Sequence, residues 1–232
     1  MRGPRIKICC ISSVAEARLA IRAGADALGL VSAMPSGPGV IAEELIGEIA
    51  VTVPPPIGTF LLTSRQDVDG IVAQQRRCRT NTVQIVDRLT TGSYAALREA
   101  MPGVAIVQVV HVTGSESVDE AVAVAPHVHA LLLDSGNQSL AVKELGGTGR
   151  VHDWTLSRAI RDAVEVPVFL AGGLRADNVG EAIRAVDPFG LDLCSGIRTA
   201  GLLDEQKLTA FVAAVQSASE TVLSAAEDSG GA

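Results

Sequence analysis

Aromatic rings are scarce in this chain. They make up 3% of its 232 residues, with one Trp and one Tyr, which excludes a core built on ring stacking. The apolar 47% is carried instead by Val, Leu, Ile and Ala, residues that suit the layered interior of a parallel barrel. Positive charge is also short, with 19 Lys and Arg against 26 Asp and Glu and a net charge of −7. There is no basic stripe, so no nucleic-acid partner is expected. No apolar run approaches the roughly 20 residues of a membrane-spanning helix. Met1-Arg2-Gly3-Pro4-Arg5 leads straight into an apolar segment without a signal-peptide pattern. No membrane partner is expected either. The cysteines are Cys9, Cys10, Cys78 and Cys194, without CxxC or zinc spacing. That excludes a disulfide framework and a structural zinc site, and a cytoplasmic, reducing setting is expected. Nor does a GxGxxG follow the first apolar segment, which weighs against an open dinucleotide-binding sheet.

What is present is alternation. Short apolar runs, Ile6–Cys10, Ala27–Val31, Ile57–Leu61, Thr82–Val86, Val104–Val110, Ala130–Asp134, Pro167–Leu170 and Gly190–Cys194, read as strands covered on both faces. Between them lie Ala-rich helical stretches near Val14–Ala23, Ala42–Val51, Val68–Arg77, Tyr94–Ala100, Val118–Val124, Leu156–Ala163, Val179–Val186 and Glu205–Ala218. Ser13 and Asp67 are placed to cap helix starts, and Gly24, Pro102 and Pro126 to end helices. Eight βα units with no break in composition predict one α/β domain, a single (β/α)8 TIM barrel over 1–226, with a polar, Gly-rich disordered tail at 227–232.

In such a barrel the chemistry belongs at the C-terminal rim of the strands. Lys7 and Cys9 share one face of the first strand, and Ile8 and Cys10 the other. With Lys7 inward, Cys9 stands above it at the rim, while Cys10 packs against the helices. An isolated cysteine is more often a small buried hydrophobe; the position above an inward lysine favours a thiolate base at Cys9. Asp134 ends an apolar strand before Ser135-Gly136-Asn137, where a turn aspartate is equally at home. Paired with Cys9, it reads better as the acid of an acid–base couple. Gly172-Gly173 and Ser195-Gly196 follow the last two strands, where barrels often bind phosphate through main-chain amides. Asp192 shares a face with Cys194 and is expected to pair with Lys7. His127 and His129 read as structural, and His111 ends a strand at the rim.

These pieces, taken in order, resemble a known family. Lys7-Ile8-Cys9, Gly24-Ala25-Asp26-Ala27-Leu28-Gly29, Val83-Gln84 and Leu132-Leu133-Asp134-Ser135 match it. So do Gly146-Gly147-Thr148-Gly149 with Asp153-Trp154, Ala171-Gly172-Gly173-Leu174 with Asp177-Asn178-Val179, and Asp192 with Ser195-Gly196. Over essentially its whole length the chain is similar to the phosphoribosylanthranilate isomerases of tryptophan biosynthesis, as a divergent member. The resemblance implies a monomeric or homodimeric barrel that needs no cofactor and acts on a small phosphorylated sugar. It implies an Amadori rearrangement of a phosphoribosyl amine, an intramolecular aldose–ketose isomerisation. Asp134 becomes the general acid, Cys9 the general base, and Gly172, Gly173, Ser195 and Gly196 the phosphate cradle. The remaining candidates for substrate contact are Lys7, Gln84, Arg88, His111 and Gly147.

The chain also departs from the family pattern. Cys10 stands where the family has Gly, Gly39 where it has the Arg that binds the anthranilate carboxylate, and Cys194 where it has Ser. Arg88, His111 and Arg65 are the candidates to replace that Arg. Three functions therefore stay open: the isomerase itself, a paralogous isomerase or lyase on another phosphorylated sugar, and a non-catalytic barrel that binds a phosphorylated metabolite.

Overall fold

A computed structural model describes residues 3–136, Leu145 and 151–229, with side chains described as far as Glu220. Eight parallel strands close into a barrel in sequential order, β1 next to β8. They are β1 (Arg5–Ile8), β2 (Ala27–Val31), β3 (Gly58–Thr63), β4 (Thr82–Ile85), β5 (Ala105–His111), β6 (Ala130–Asp134), β7 (Val168–Leu170) and β8 (Gly190–Leu193). Around them run α1 (Val14–Arg22), α2 (Glu43–Ala50), α3 (Val68–Cys78), α4 (Tyr94–Ala100), α5 (Glu116–Val124), α6 (Trp154–Ala163), α7 (Val179–Val186) and α8 (Glu205–Ser229). A 3-10 turn at Ser195–Ile197 and a small hairpin, β9 (Arg198–Thr199) with β10 (Leu202–Leu203), separate β8 from α8. This is the (β/α)8 architecture that the alternation predicts. No described helix is long and apolar enough to cross a membrane.

Local chemistry explains the boundaries. Ser13 and Asp67 accept hydrogen bonds from the N–H groups of Glu16 and Gly70, each satisfying a helix-start donor. Gly24 follows α1 with a φ of 106°, a left-handed region that glycine enters freely. α8 runs past the Ala218 end expected from composition, because no Gly or Pro interrupts the chain before Gly230.

Apolar residues fall into two layers. One lies between strands and helices and includes Ile8, Leu28, Leu61, Ile85, Leu131 and Leu191. The other fills the barrel and includes Ala27, Phe60, Val107, Ala130, Leu132 and Phe169. Phe60 from β3 and Phe169 from β7 meet edge to face with centroids 6.0 Å apart, a favoured aromatic geometry. A Cβ at Gly190 would come 2.5 Å from the Phe169 ring, so that glycine gives the ring its place. Within the barrel these rings pack below the strands' C-terminal ends.

Candidate active site

That upper end holds a cavity that opens to solvent at its mouth. Cys9, Gln84, Asp134, Gly172, Gly173, Ser195 and Gly196 all line it. The expected acid, base and cradle residues thus share one space, although they come from β1, β4, β6, β7 and β8.

The floor is polar. Lys7 is fully buried; its Nζ donates to Asp192 Oδ1 at 2.7 Å and lies 5.2 Å from the Phe60 centroid. The two residues are register partners across the β1–β8 seam. Burial pulls the Lys7 ammonium down, but Asp192 and the thiols nearby outweigh it and its pKa is raised. Asp192 is also pushed up, first by burial, with Lys7 opposing and Asp134 adding. Gly29 on β2 makes the arrangement possible: a Cβ there would sit 2.9 Å from Cys9 Sγ and 3.2 Å from Lys7 Nζ.

Asp134, at the end of β6, is 8% exposed. Its Oδ1 accepts the Ser135 N–H at 2.7 Å, which fixes the carboxylate at the cavity wall. Gln84 Oε1 is buried without a hydrogen-bond partner among the described residues, a strong acceptor available to a ligand donor. Gly172 and Gly173 have φ of 84° and 62°, and Asn178 Nδ2 donates to Gly173 O at 3.0 Å, fastening their turn to the start of α7. A Cβ at Gly196 would collide with the Leu174 carbonyl. The loops after β7 and β8 thus approach closely because both carry glycine. Gly147 lies outside the described residues, as do the other glycines of its motif.

Other candidates stand apart from the cavity. Arg88 is 66% exposed and pairs with Glu120 at 2.9 Å; with β4 ending at Ile85, the chain has already turned outward. Arg65 is exposed and does not line the cavity. His111 is buried in place, its Nε2 2.9 Å from Val86 O, and it too is absent from the lining. His127 stacks on Tyr94, and His129 Nδ1 accepts the Ile106 N–H, both structural roles. Among the described residues no group of His, Cys, Asp and Glu is arranged to hold a metal ion.

The expectation that Cys10 packs against the helices is overturned. β1 ends at Ile8, so strand alternation stops there, and Cys10 takes a left-handed φ of 62°. A β-carbon ordinarily disfavours that region, and it turns the Cys10 thiol into the cavity beside Cys9. The sequence carried the signal: a family glycine at this position marks a backbone that needs positive φ. Cys194 lines the same space, its Sγ 2.7 Å from Cys10 Sγ. Cys10 also fills the room beside Gly39, where an added Cβ would come 2.5 Å from Cys10 Cβ. The two departures from the family pattern, at 10 and 39, therefore meet in one corner.

Arg198 holds this corner from behind. Its Nη2 donates to the carbonyls of Cys9 at 3.2 Å and Cys10 at 2.5 Å, and its Nη1 pairs with Glu16 Oε1 at 3.0 Å. Glu16 also accepts the N–H groups of Ser12 and Leu203, both at 2.9 Å. Burial would push Glu16 up, but Leu203, Arg198 and Ser12 together hold it below the ordinary carboxylate range.

Residues 6–214 match the family model of N-(5'phosphoribosyl)anthranilate (PRA) isomerase. The chain is 38% identical over 210 residues to N-(5'-phosphoribosyl)anthranilate isomerase 2 of Methanosarcina mazei, covering 90% of this chain and 92% of that protein. It is 36% identical over 216 residues to N-(5'-phosphoribosyl)anthranilate isomerase of Haloferax volcanii, covering 92% and 94%. Among solved structures, phosphoribosyl anthranilate isomerase from Thermotoga maritima superposes with a TM-score of 0.76 at 25% identity, covering 92% of this chain and 99% of that one.

Proposed function

Since the chain belongs to the N-(5'-phosphoribosyl)anthranilate isomerase family, we propose that it performs that family's isomerisation, with Asp134 as general acid and Cys9 as general base. The observation that carries this reading is the convergence of Cys9, Asp134 and the glycine turns at 172–173 and 195–196 on one cavity. Asp134 protonates the ribose ring oxygen, and the ring C–O bond breaks to leave an iminium at C1′. The Cys9 thiolate then removes the C2′ proton. The resulting enolamine tautomerises to the 1-amino-1-deoxyribulose, so the product has the atoms of the substrate. The phosphate sits against the glycine turns, where main-chain amides approach its oxygens without a β-carbon between.

A second reading concerns the substituent on the amine. Gly39 offers no side chain to a carboxylate, and Cys10 fills the room one would need. A related phosphoribosyl amine without that carboxylate fits the same acid, base and cradle. Purified protein assayed with N-(5'-phosphoribosyl)anthranilate and with its aniline counterpart separates the two. Preferential turnover of the anthranilate compound supports the family substrate, and preferential turnover of the aniline compound supports the second reading. Cys9→Ser should lower turnover of whichever is used by about 10²–10⁴-fold. A near-normal rate in that variant removes Cys9 as the base.

A further inference from the structure

Cys10 and Cys194 take no part in the proton transfers, yet both thiols face the cavity. They reach it from the ends of adjacent strands: Ile8 and Leu193 are register partners, and the Cys9 N–H donates to Leu193 O at 2.7 Å. The two sulfur atoms are 2.7 Å apart in free cysteines. A disulfide requires about 2.05 Å, so a small side-chain adjustment joins them. We propose that Cys10 and Cys194 form a redox site, oxidised reversibly by a hydroperoxide to a disulfide that bridges β1 and β8 at the mouth of the cavity.

The surroundings assign each sulfur a role. Cys194 is partly exposed, so peroxide reaches it through the open mouth. Its pKa is lowered by the hydrogen bond with Cys10 and, against burial, by the Arg198 guanidinium. Cys10 is pushed up by its hydrogen bonds to Cys194 and Cys9 and by burial. Cys194, the more exposed of the two, is thus the sulfur that meets peroxide first. Its sulfur takes one peroxide oxygen as a sulfenic acid, the O–O bond breaks, and water (or an alcohol) leaves. Cys10 then attacks the sulfenic sulfur; the S–S bond forms, the S–O bond breaks and a second water leaves. Two thiols lose two electrons, the peroxide gains them, and a thiol reductant reverses the change.

The bridge would be felt at the site. Cys10 Sγ lies 3.6 Å from Pro38 O, and Cys10 is packed against Gly39, so drawing its sulfur toward Cys194 releases the wall that faces the amine substituent. Cys194 precedes Ser195 and Gly196 of the cradle, so the same movement strains the phosphate side. Turnover is therefore expected to fall several-fold on oxidation and to return with reductant.

The test uses the full chain, treated with hydrogen peroxide or with dithiothreitol, then alkylated, digested and mapped by mass spectrometry. The expected result is a peptide pair linked through Cys10 and Cys194, lighter by two hydrogen atoms and lost on reduction. Cys9→Ser should still form it, and Cys194→Ser should not. Circular dichroism shows whether each variant is folded, and Cys10→Ala gives an independent second loss of the link. The proposal is overturned if oxidation stops at sulfinic acid, if Cys9 is the linked residue, or if the bridge joins two chains. These readouts do not depend on which phosphoribosyl amine is the substrate.

Discussion

The two walls of the cavity treat space in opposite ways. Along the loops after β7 and β8, glycines leave the main chain bare: Gly172 and Gly173 hold left-handed turns, and Gly196 lets the β8 loop lie against the Leu174 carbonyl. Along the end of β1 and the loop after β2, the vacated side chain at 39 is covered by the thiol-bearing Cys10. Bare amides suit a group that many sugar phosphates share. A filled corner suits discrimination of whatever hangs from the amine. The same barrel end can therefore keep its phosphate site while changing what it accepts at the amine, since those two tasks rest on different strands.

If the β6–β8 wall carries chemistry and phosphate, its changes should act on turnover and on phosphorylated ligands alone. Asp134→Asn should lower turnover by about 10²–10⁴-fold, with the melting temperature near that of the parent. A rate within a few-fold of the parent would remove the acid from this wall. Gly173→Val, at a φ of 62°, should weaken a phosphorylated ligand far more than its dephosphorylated form in a binding titration. Equal losses would point to general misfolding.

The β1–β2 wall makes a coupled prediction. Gly39→Arg alone should cost about 1–3 kcal/mol of stability, since the new side chain overpacks Cys10, as read from urea midpoints. With Cys10→Gly added, the overpacking part of that loss should return, while the strain of a side chain at a φ of 81° remains. A carboxylated substrate should then gain affinity by about tenfold or more, because a charge-assisted bond contributes roughly 1.5–3 kcal/mol. Additive effects of the two substitutions would show that positions 10 and 39 are independent.

Glu16 and Arg198 join the walls across the β1–β8 seam, and acid should loosen them. The folded-state pKa of Glu16 lies below its ordinary 4.5. Its contribution to stability is present above the unfolded value and lost as pH falls through the folded one. Denaturation midpoints followed from neutral pH into acid should decline less steeply in Glu16→Gln. The smallest effect is expected outside both walls: Arg88→Ala removes an exposed pair with Glu120, about 0–1 kcal/mol, and should leave the Michaelis constant unchanged.

Much of this was legible along the chain. The strands at Ala27–Val31 and Ala130–Asp134 coincide with the observed elements, because a segment buried on both faces is nearly all apolar and ends at a turn. Rim positions followed from those ends, which is why Cys9, Asp134 and the two glycine turns were found together. The sequence does not keep Arg88 and His111 out of the cavity, because proximity to a strand end does not say which way a loop turns. Arg88 left the barrel to meet Glu120, and His111 was held by the Val86 carbonyl.

By itself the sequence determined the barrel, the order of its strands and the types of groups at its rim. All three depend on local periodicity and on the covalent chain. Only the tertiary structure decided that Cys10, Cys194 and Gly39 share one corner, and that Gly29 clears the space over Lys7 and Cys9. Those relations join residues far apart in the chain, through a backbone turn at Cys10 whose sign the side chain alone would not predict.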